Sequence, residues 1–196
     1  HSRVKFELEF ICMDPGYAPA NRRRIEENAE ILGIPVKIFE SDVFAVSEKL
    51  RAEKPCYLCA RMRRGFLYER AKDLGCNKIA LGHHFDDVIE TLLMGIIYAA
   101  QIGGMLPRLK STSHPGMQLI RPLYYVHEKD IIPWSQRHKL EFLDCACKFS
   151  ARVKDDDSLS KRREMKALIE KLRAGYPHVD INIFPRLVDV HCDTLI

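Results

Sequence analysis

The chain lacks any run of about 18 apolar residues, which excludes a membrane-spanning helix of ordinary length. Its first residues, His1-Ser2-Arg3-Val4-Lys5, lack the basic, then apolar, then small order of a secretory signal. No glycine-rich GxxxxGK(S/T) loop occurs, and neither does an SGGxDS loop. The one adjacent glycine pair, Gly103-Gly104, runs on into Met105-Leu106-Pro107. There is no internal repeat and little charge of one sign: 31 Lys and Arg against 27 Asp and Glu leave a net +4. With 46% hydrophobic residues in 196, the chain can bury a real core, and global disorder is excluded. A mildly basic balance permits a nucleic-acid partner without requiring one.

Seven cysteines are present, an odd number. A secreted disulfide framework favours an even count in a short, core-poor chain, so a reducing cytoplasm is expected here. In that compartment closely spaced cysteines read as metal ligands or redox groups. Cys12 and Cys76 sit in apolar or strand-like surroundings and are expected to be inert core thiols.

Hydrophobic periodicity predicts alternating strands and helices. Val4 to Met13 reads as a strand ended by Asp14-Pro15-Gly16, and Asn21 as the cap of a helix over 22–32 closed by Gly33. A strand at 35–39, a helix at 43–51 and a break at Lys54-Pro55 follow. A longer helix runs over 58–74 to Gly75, then a strand at 78–82 and a helix at 86–100. Beyond a Gly- and Pro-rich stretch come a strand at 118–120 and helices at 128–138, 158–173 and near 180–187. Asp155-Asp156-Asp157 reads as an exposed turn or helix start. This order predicts an α/β fold with a doubly wound parallel sheet.

The sharpest motif is Leu81-Gly82-His83-His84-Phe85-Asp86-Asp87, where a strand ends and a helix begins. Ligands of open α/β sheets bind at the carboxyl ends of strands. Gly82 permits close approach of a ligand to the backbone, and His83 and His84 can donate to phosphate oxygens. Asp86 and Asp87 are hard oxygen ligands suited to magnesium beside phosphates. The competing reading is helix capping, worth about 0.3 to 1 kcal/mol per acidic residue in a first turn. Cys56-Tyr57-Leu58-Cys59 opens a helix, so both sulfurs share a face, and Arg61, Arg63 and Arg64 favour thiolates. This spacing alone fits zinc, iron–sulfur or dithiol chemistry equally well. Cys145-Ala146-Cys147 and His191-Cys192 are further ligand candidates. Arg121, leaving a strand just before Pro122, is placed to face a phosphate or to pair with a carboxylate. Arg22-Arg23-Arg24 and Lys161-Arg162-Arg163 read as solvated helix faces.

Together these motifs resemble the tRNA 2-thiocytidine synthetase family of the PP-loop ATP pyrophosphatase superfamily. The matching runs are Cys56 to Gly65, Ala80 to Asp87, Ile120-Arg121-Pro122-Leu123 with Glu128-Lys129-Asp130-Ile131, and Cys192-Asp193-Thr194, in the family's order. The resemblance implies that ATP and Mg2+ adenylate the C2 oxygen of an anticodon-loop cytidine in tRNA, after which sulfur displaces AMP. It implies catalytic roles for His83, Asp86 and Asp87, nucleotide binding by Gly82, His84 and Arg121, and tRNA binding by Arg61, Arg63 and Arg64. It also implies a 4Fe-4S cluster on Cys56, Cys59 and Cys145, leaving one iron open to an exogenous sulfide from a donor such as a cysteine desulfurase. A homodimer fits the family. The expected division is a PP-loop domain over 1–150 and a helical extension over 151–196, the domain's opening strand, phosphate loop and helix lying outside the chain.

Two departures stand out. The phosphate loop is absent, and the distal pair is CxC where the family has CxxC, so Cys147 competes with Cys145 as third ligand. Two alternatives follow. One is a zinc-containing tRNA-modifying enzyme with a persulfide on Cys147 or Cys192; the other is a degenerate, non-enzymatic RNA-binding module.

Overall fold

The computed structural model describes residues 5–44, 46, 55–142 and 157–184, with backbone alone for 55–60 and 157–160. Two compact units divide the chain. The first comprises His1–Ile79, Lys110–Gln118 and Pro133–Arg152; the second comprises Ala80–Leu109, Leu119–Ile132 and Val153–Ile196.

In the first unit, β1 (Phe10–Asp14) leads through α1 (Pro19–Ile31) to β2 (Val36–Glu40). The strands are parallel, in register from Phe10 against Val36 to Asp14 against Glu40. The first strand is therefore shorter than Val4 to Met13, because its partner offers only five residues to pair with. Helix α1 starts earlier than an Asn21 cap would allow. Pro19 supplies the helical φ at the first turn, where its missing N–H costs nothing. The preceding turn is held by Asp14, whose Oδ1 accepts from the N–H groups of Gly16 and Tyr17 at 2.9 and 2.7 Å. Gly16 adopts φ +102°, which only glycine takes without strain.

Helix α2 (Pro55–Asp73) likewise has a proline as its first residue, so it takes in Pro55, which was expected to lie in the break before a helix starting at 58. It packs on β1 and buries Tyr68 and Ala71. Tyr68 stacks on His114 with centroids 4.7 Å apart, and Arg70 lies over the rings of Phe66 and Phe39. Of the helix expected over 43–51, Val43, Phe44 and Val46 are helical, and the remainder lies outside the described residues.

A second sheet orders its strands β3 (Lys78–Ala80), β5 (Gln118–Ile120) and β4 (Arg108–Lys110). Gln118 N donates to Asn77 O and Leu81 N to Ile120 O, the parallel sense for β3 and β5. Strand β4 has no counterpart in the sequence reading. It folds back on β5 as an antiparallel hairpin, with Ser111 N on Met117 O and Arg121 N on Pro107 O. All three of its residues are exposed, so it carries no hydrophobic alternation to betray it.

In the second unit, α3 (Phe85–Ala99) packs against α5 (Asp157–Gly175), which meets α6 (Val179–Ile183). Phe85, Ile89 and Ile169 form the core, with Leu93, Ile183 and Phe184 around them, and Phe184 stacks on Phe85 at 4.5 Å. Helix α4 (Glu128–Arg137) carries Pro133 internally. Among the described residues no helix is long and apolar enough to cross a membrane.

Candidate functional site

The run Gly82-His83-His84 leaves β3 and enters α3, where the sequence places it. His84 is the last non-helical residue. Its N–H donates to Asp87 Oδ2 at 3.0 Å, so Asp87 closes the first turn of α3 from three residues on. The His84 ring lies over both acids, Nδ1 at 3.8 Å from Asp86 Oδ2 and Nε2 at 3.4 Å from Asp87 Oδ2. A Cβ at Gly82 would meet nothing within 4 Å, so the space for a ligand to approach this backbone exists.

Asp86 is buried. Its Oδ2 accepts from the N–H of Glu128 at 2.7 Å and its Oδ1 from Arg173 at 2.6 Å. Burial pushes its carboxyl up, but the Glu128 N–H and the Arg173 guanidinium outweigh burial and hold it below the ordinary carboxylate range. Arg173 also reaches Asp180 at 3.0 Å and Glu170 at 2.8 Å. Partial burial would lower its affinity for a proton, yet three carboxylates raise it further above its usual value. Asp87 Oδ1 accepts from Arg162 at 2.5 Å, and the same guanidinium reaches Glu90 at 2.7 Å. Lys166 holds Glu128 at 2.6 Å.

Of the two readings of the aspartates, helix capping describes what they touch. They cap and tie the helix start, and every carboxylate oxygen accepts a hydrogen bond. A guanidinium stands on each carboxylate where a divalent cation would otherwise sit, so the pair does not fit magnesium in this arrangement. Among the described residues no group of three or more His, Cys, Asp or Glu is arranged to hold a metal ion.

Arg121 donates to the carbonyl of Leu106 and so braces the β4–β5 hairpin. His127 packs on Phe85 with ring centroids 4.1 Å apart. Cys56 and Cys59 occupy the first turn of α2 by backbone, one turn apart. Cys145, Cys147 and Cys192 lie outside the described residues. Arg61, Arg63 and Arg64 follow on α2, and all three are exposed. Burial pushes the Cys12 thiol up and Asp14 adds to it, against Arg22 and Arg63, which suits an inert core thiol.

Sequence reasoning missed Arg162, Lys166 and Arg173 as partners of the acidic turn. The partners are separated from it by 75 and 87 positions for Arg162–Asp87 and Arg173–Asp86, and nothing local announces such a pairing. The signal available was the Lys161-Arg162-Arg163 cluster itself, read as solvated.

The PP-loop domain family matches residues 18–151. The chain is 36% identical over 190 residues to the tRNA-cytidine(32) 2-sulfurtransferase of Citrifermentans bemidjiense, covering 96% of this chain and 72% of that protein. It is 41% identical over 144 residues to the protein of the same name from Vibrio cholerae serotype O1, covering 72% of this chain and 46% of that one. Among solved structures it is similar in fold to the U34-tRNA thiolase NcsA of Methanococcus maripaludis, determined with its 4Fe-4S cluster. The TM-score is 0.68 at 23% identity, over 88% of this chain and 57% of that one. A strand-end turn rich in His and Asp, a cysteine pair opening a helix and this extent of identity agree: the chain belongs to the PP-loop family, among the tRNA-cytidine(32) 2-sulfurtransferases.

Proposed function

We propose that this tRNA sulfurtransferase uses ATP to adenylate the C2 oxygen of an anticodon-loop cytidine and then exchanges that oxygen for sulfur. The observation that carries the reading is the turn from Gly82 to Asp87, set between β3 and α3 inside the stretch matched by the PP-loop family. A carbonyl oxygen is a poor leaving group. When it attacks the α-phosphorus of ATP, pyrophosphate departs and the oxygen becomes part of an adenylate. A sulfur nucleophile then adds at C2, and AMP leaves with the oxygen.

In this reading Gly82 gives the nucleotide close access to backbone. His83 and His84 donate to its phosphates, and Asp86 and Asp87 hold the turn that aims them. Arg121 supports the same nucleotide site by bracing the neighbouring hairpin. Cys56, Cys59 and Cys145 are the proposed ligands of a 4Fe-4S cluster; the first two stand one turn apart at the start of α2, as shared ligation requires. When bound, such a cluster with three protein ligands supplies one iron with an open position for an exogenous sulfide. Arg61, Arg63 and Arg64 are proposed to contact tRNA phosphates. The nucleotide chemistry is assigned to residues 1–150 and the helical extension to 151–196.

Mass spectrometry of tRNA nucleosides from cells with and without the gene tests this reading. Loss of 2-thiocytidine on deletion is the expected result. An unchanged nucleoside profile overturns it, and colourless protein carrying stoichiometric zinc overturns the cluster assignment.

A further inference from the structure

The segment from Arg121 to Glu128 is laced to the strand-end turn by main chain. Phe85, between His84 and Asp86, donates its N–H to Val126 O at 2.9 Å, and the Glu128 N–H donates to Asp86. Two successive turns stiffen the segment, Tyr124 N on Arg121 O at 3.2 Å and Val126 N on Leu123 O at 2.9 Å. Tyr124 is buried, and its hydroxyl donates to Met105 O at 2.9 Å. Its chain neighbour Tyr125 is 73% exposed. Tyr125 meets Tyr124 edge-on, at 87° and 5.1 Å, and Phe184 at 58° and 5.6 Å, so neither ring lies flat upon it. Phe184 in turn stacks on Phe85, at 18° and 4.5 Å. The exposed ring is thus fixed to the turn twice, by main chain through Val126 and by rings through Phe184. A lone exposed tyrosine is ordinary, but one held this firmly has given up its rotamer freedom before any ligand arrives.

We propose that Tyr125 is the stacking platform for a base of the RNA substrate, the cytidine whose C2 oxygen is to react. The inference rests on the tRNA and ATP reading above and adds the side chain that receives the base. Unstacked bases of RNA loops are bound by laying their flat faces on aromatic rings. The reaction needs that base beside the nucleotide's phosphates. Tyr125 stands one residue from the main-chain bond that joins its segment to the turn proposed to hold them. The adenine of ATP is the rival for the same ring. A free small ligand is enclosed over most of its surface by a concave site. A ring 73% exposed on a turn suits instead a base presented by a polymer, whose own bulk covers the remainder. Stacking reads no base edge, so Tyr125 supplies affinity and placement, and the choice of cytosine falls to other groups.

Binding of anticodon stem-loop RNA to the 196-residue chain, followed by fluorescence anisotropy, tests this without turnover. Two RNAs are compared, one with a single cytidine in its loop and one abasic at that position. The unaltered chain is expected to bind the first about tenfold more tightly. Tyr125→Ala is expected to bind both equally, at the abasic level. Tyr125→Phe keeps the preference, and Tyr125→Leu, which has no aromatic face, loses most of it. Affinity for ATP is expected to stay unchanged in all three variants. A preference that survives in Tyr125→Ala overturns the platform. A fall in ATP affinity in place of RNA affinity also overturns it and gives the ring to adenine. Should Tyr125→Ala fail to fold, Tyr125→Leu retains apolar bulk against Tyr124 and Phe184 and reads the same preference. An unaltered chain that binds neither RNA overturns the tRNA reading, and this inference with it. A chain that meets every binding expectation yet forms no thiolated nucleoside sinks the proposed reaction and leaves this inference standing.

Discussion

Arg173 donates to Oδ1 of Asp86 at 2.6 Å, joining α5 to the first turn of α3 across 87 positions of sequence. The same carboxylate accepts the Glu128 N–H, so one buried side chain ties together a helix start, a loop and a distant helix. This contact thus contributes both to the stability of the second unit and to the shape of its turn.

Arg173→Ala leaves the buried Asp86 carboxylate with one hydrogen bond, from the Glu128 N–H, and without its guanidinium partner. Hydrogen bonds to charged groups contribute about 1.5–3 kcal/mol, and a loss in that range is expected. Denaturant unfolding followed by circular dichroism measures it; a loss below the error of the extrapolation would show that the contact is idle.

The pH dependence follows from the same pair. Asp86 is held below its ordinary value in the fold and returns to about 3.9 when unfolded. The folded chain therefore binds that proton less readily than the unfolded chain. Its contribution is fully present above about pH 4 and is lost as pH falls through the lower folded value. Unfolding free energy measured from pH 6 down to pH 2 should fall less steeply in Asp86→Asn than in the unaltered chain. Equal slopes would contradict this.

Gly95→Ala reverses a familiar sign. In a helix interior that exchange ordinarily stabilises by about 0.5–1 kcal/mol. Here the chain folds back over the end of α3, with Ala100 at φ +51° and Gln101 N donating to Gly95 O. A Cβ at 95 would stand 2.8 Å from the Gln101 carbonyl oxygen. A melting temperature lower by about 3–6 °C is expected from calorimetry, and an unchanged or higher one would mean that the turn gives way freely.

Serine in place of Cys56, Cys59 or Cys145 should each strip most of the iron and sulfide from anaerobically purified protein. Serine at Cys12 or Cys76 should leave both in place. Metal analysis and visible absorbance report the result. Full iron in Cys145→Ser with loss in a Cys147→Ser variant would transfer the third ligand by two positions.

Much of the architecture was legible in the chain itself because its signals are local. Periods of two and 3.6 marked β2, β5, α1, α2 and α3, and Gly33 and Gly75 marked the stops of α1 and α2 through their positive φ. Where the starts of α1 and α2 were misread, prolines were responsible. Pro19 and Pro55 open helices instead of standing in the chain before them, because a first turn has no use for the missing N–H. Strand β4 stayed hidden because all three of its residues face solvent, leaving no alternation to see.

The candidate site divides along the same line. That Gly82, His83, His84, Asp86 and Asp87 lie at a strand end was determined by sequence alone, since five residues within six positions need no fold to bring them together. What those side chains touch was decided only by tertiary structure. Arg162 and Arg173 reach the acids because Met165 and Ile169 bury themselves as α5 packs on α3, which aims the charged face of that helix at the turn. Burial of apolar surface is non-directional, so no local pattern in α5 names the carboxylates its arginines will meet.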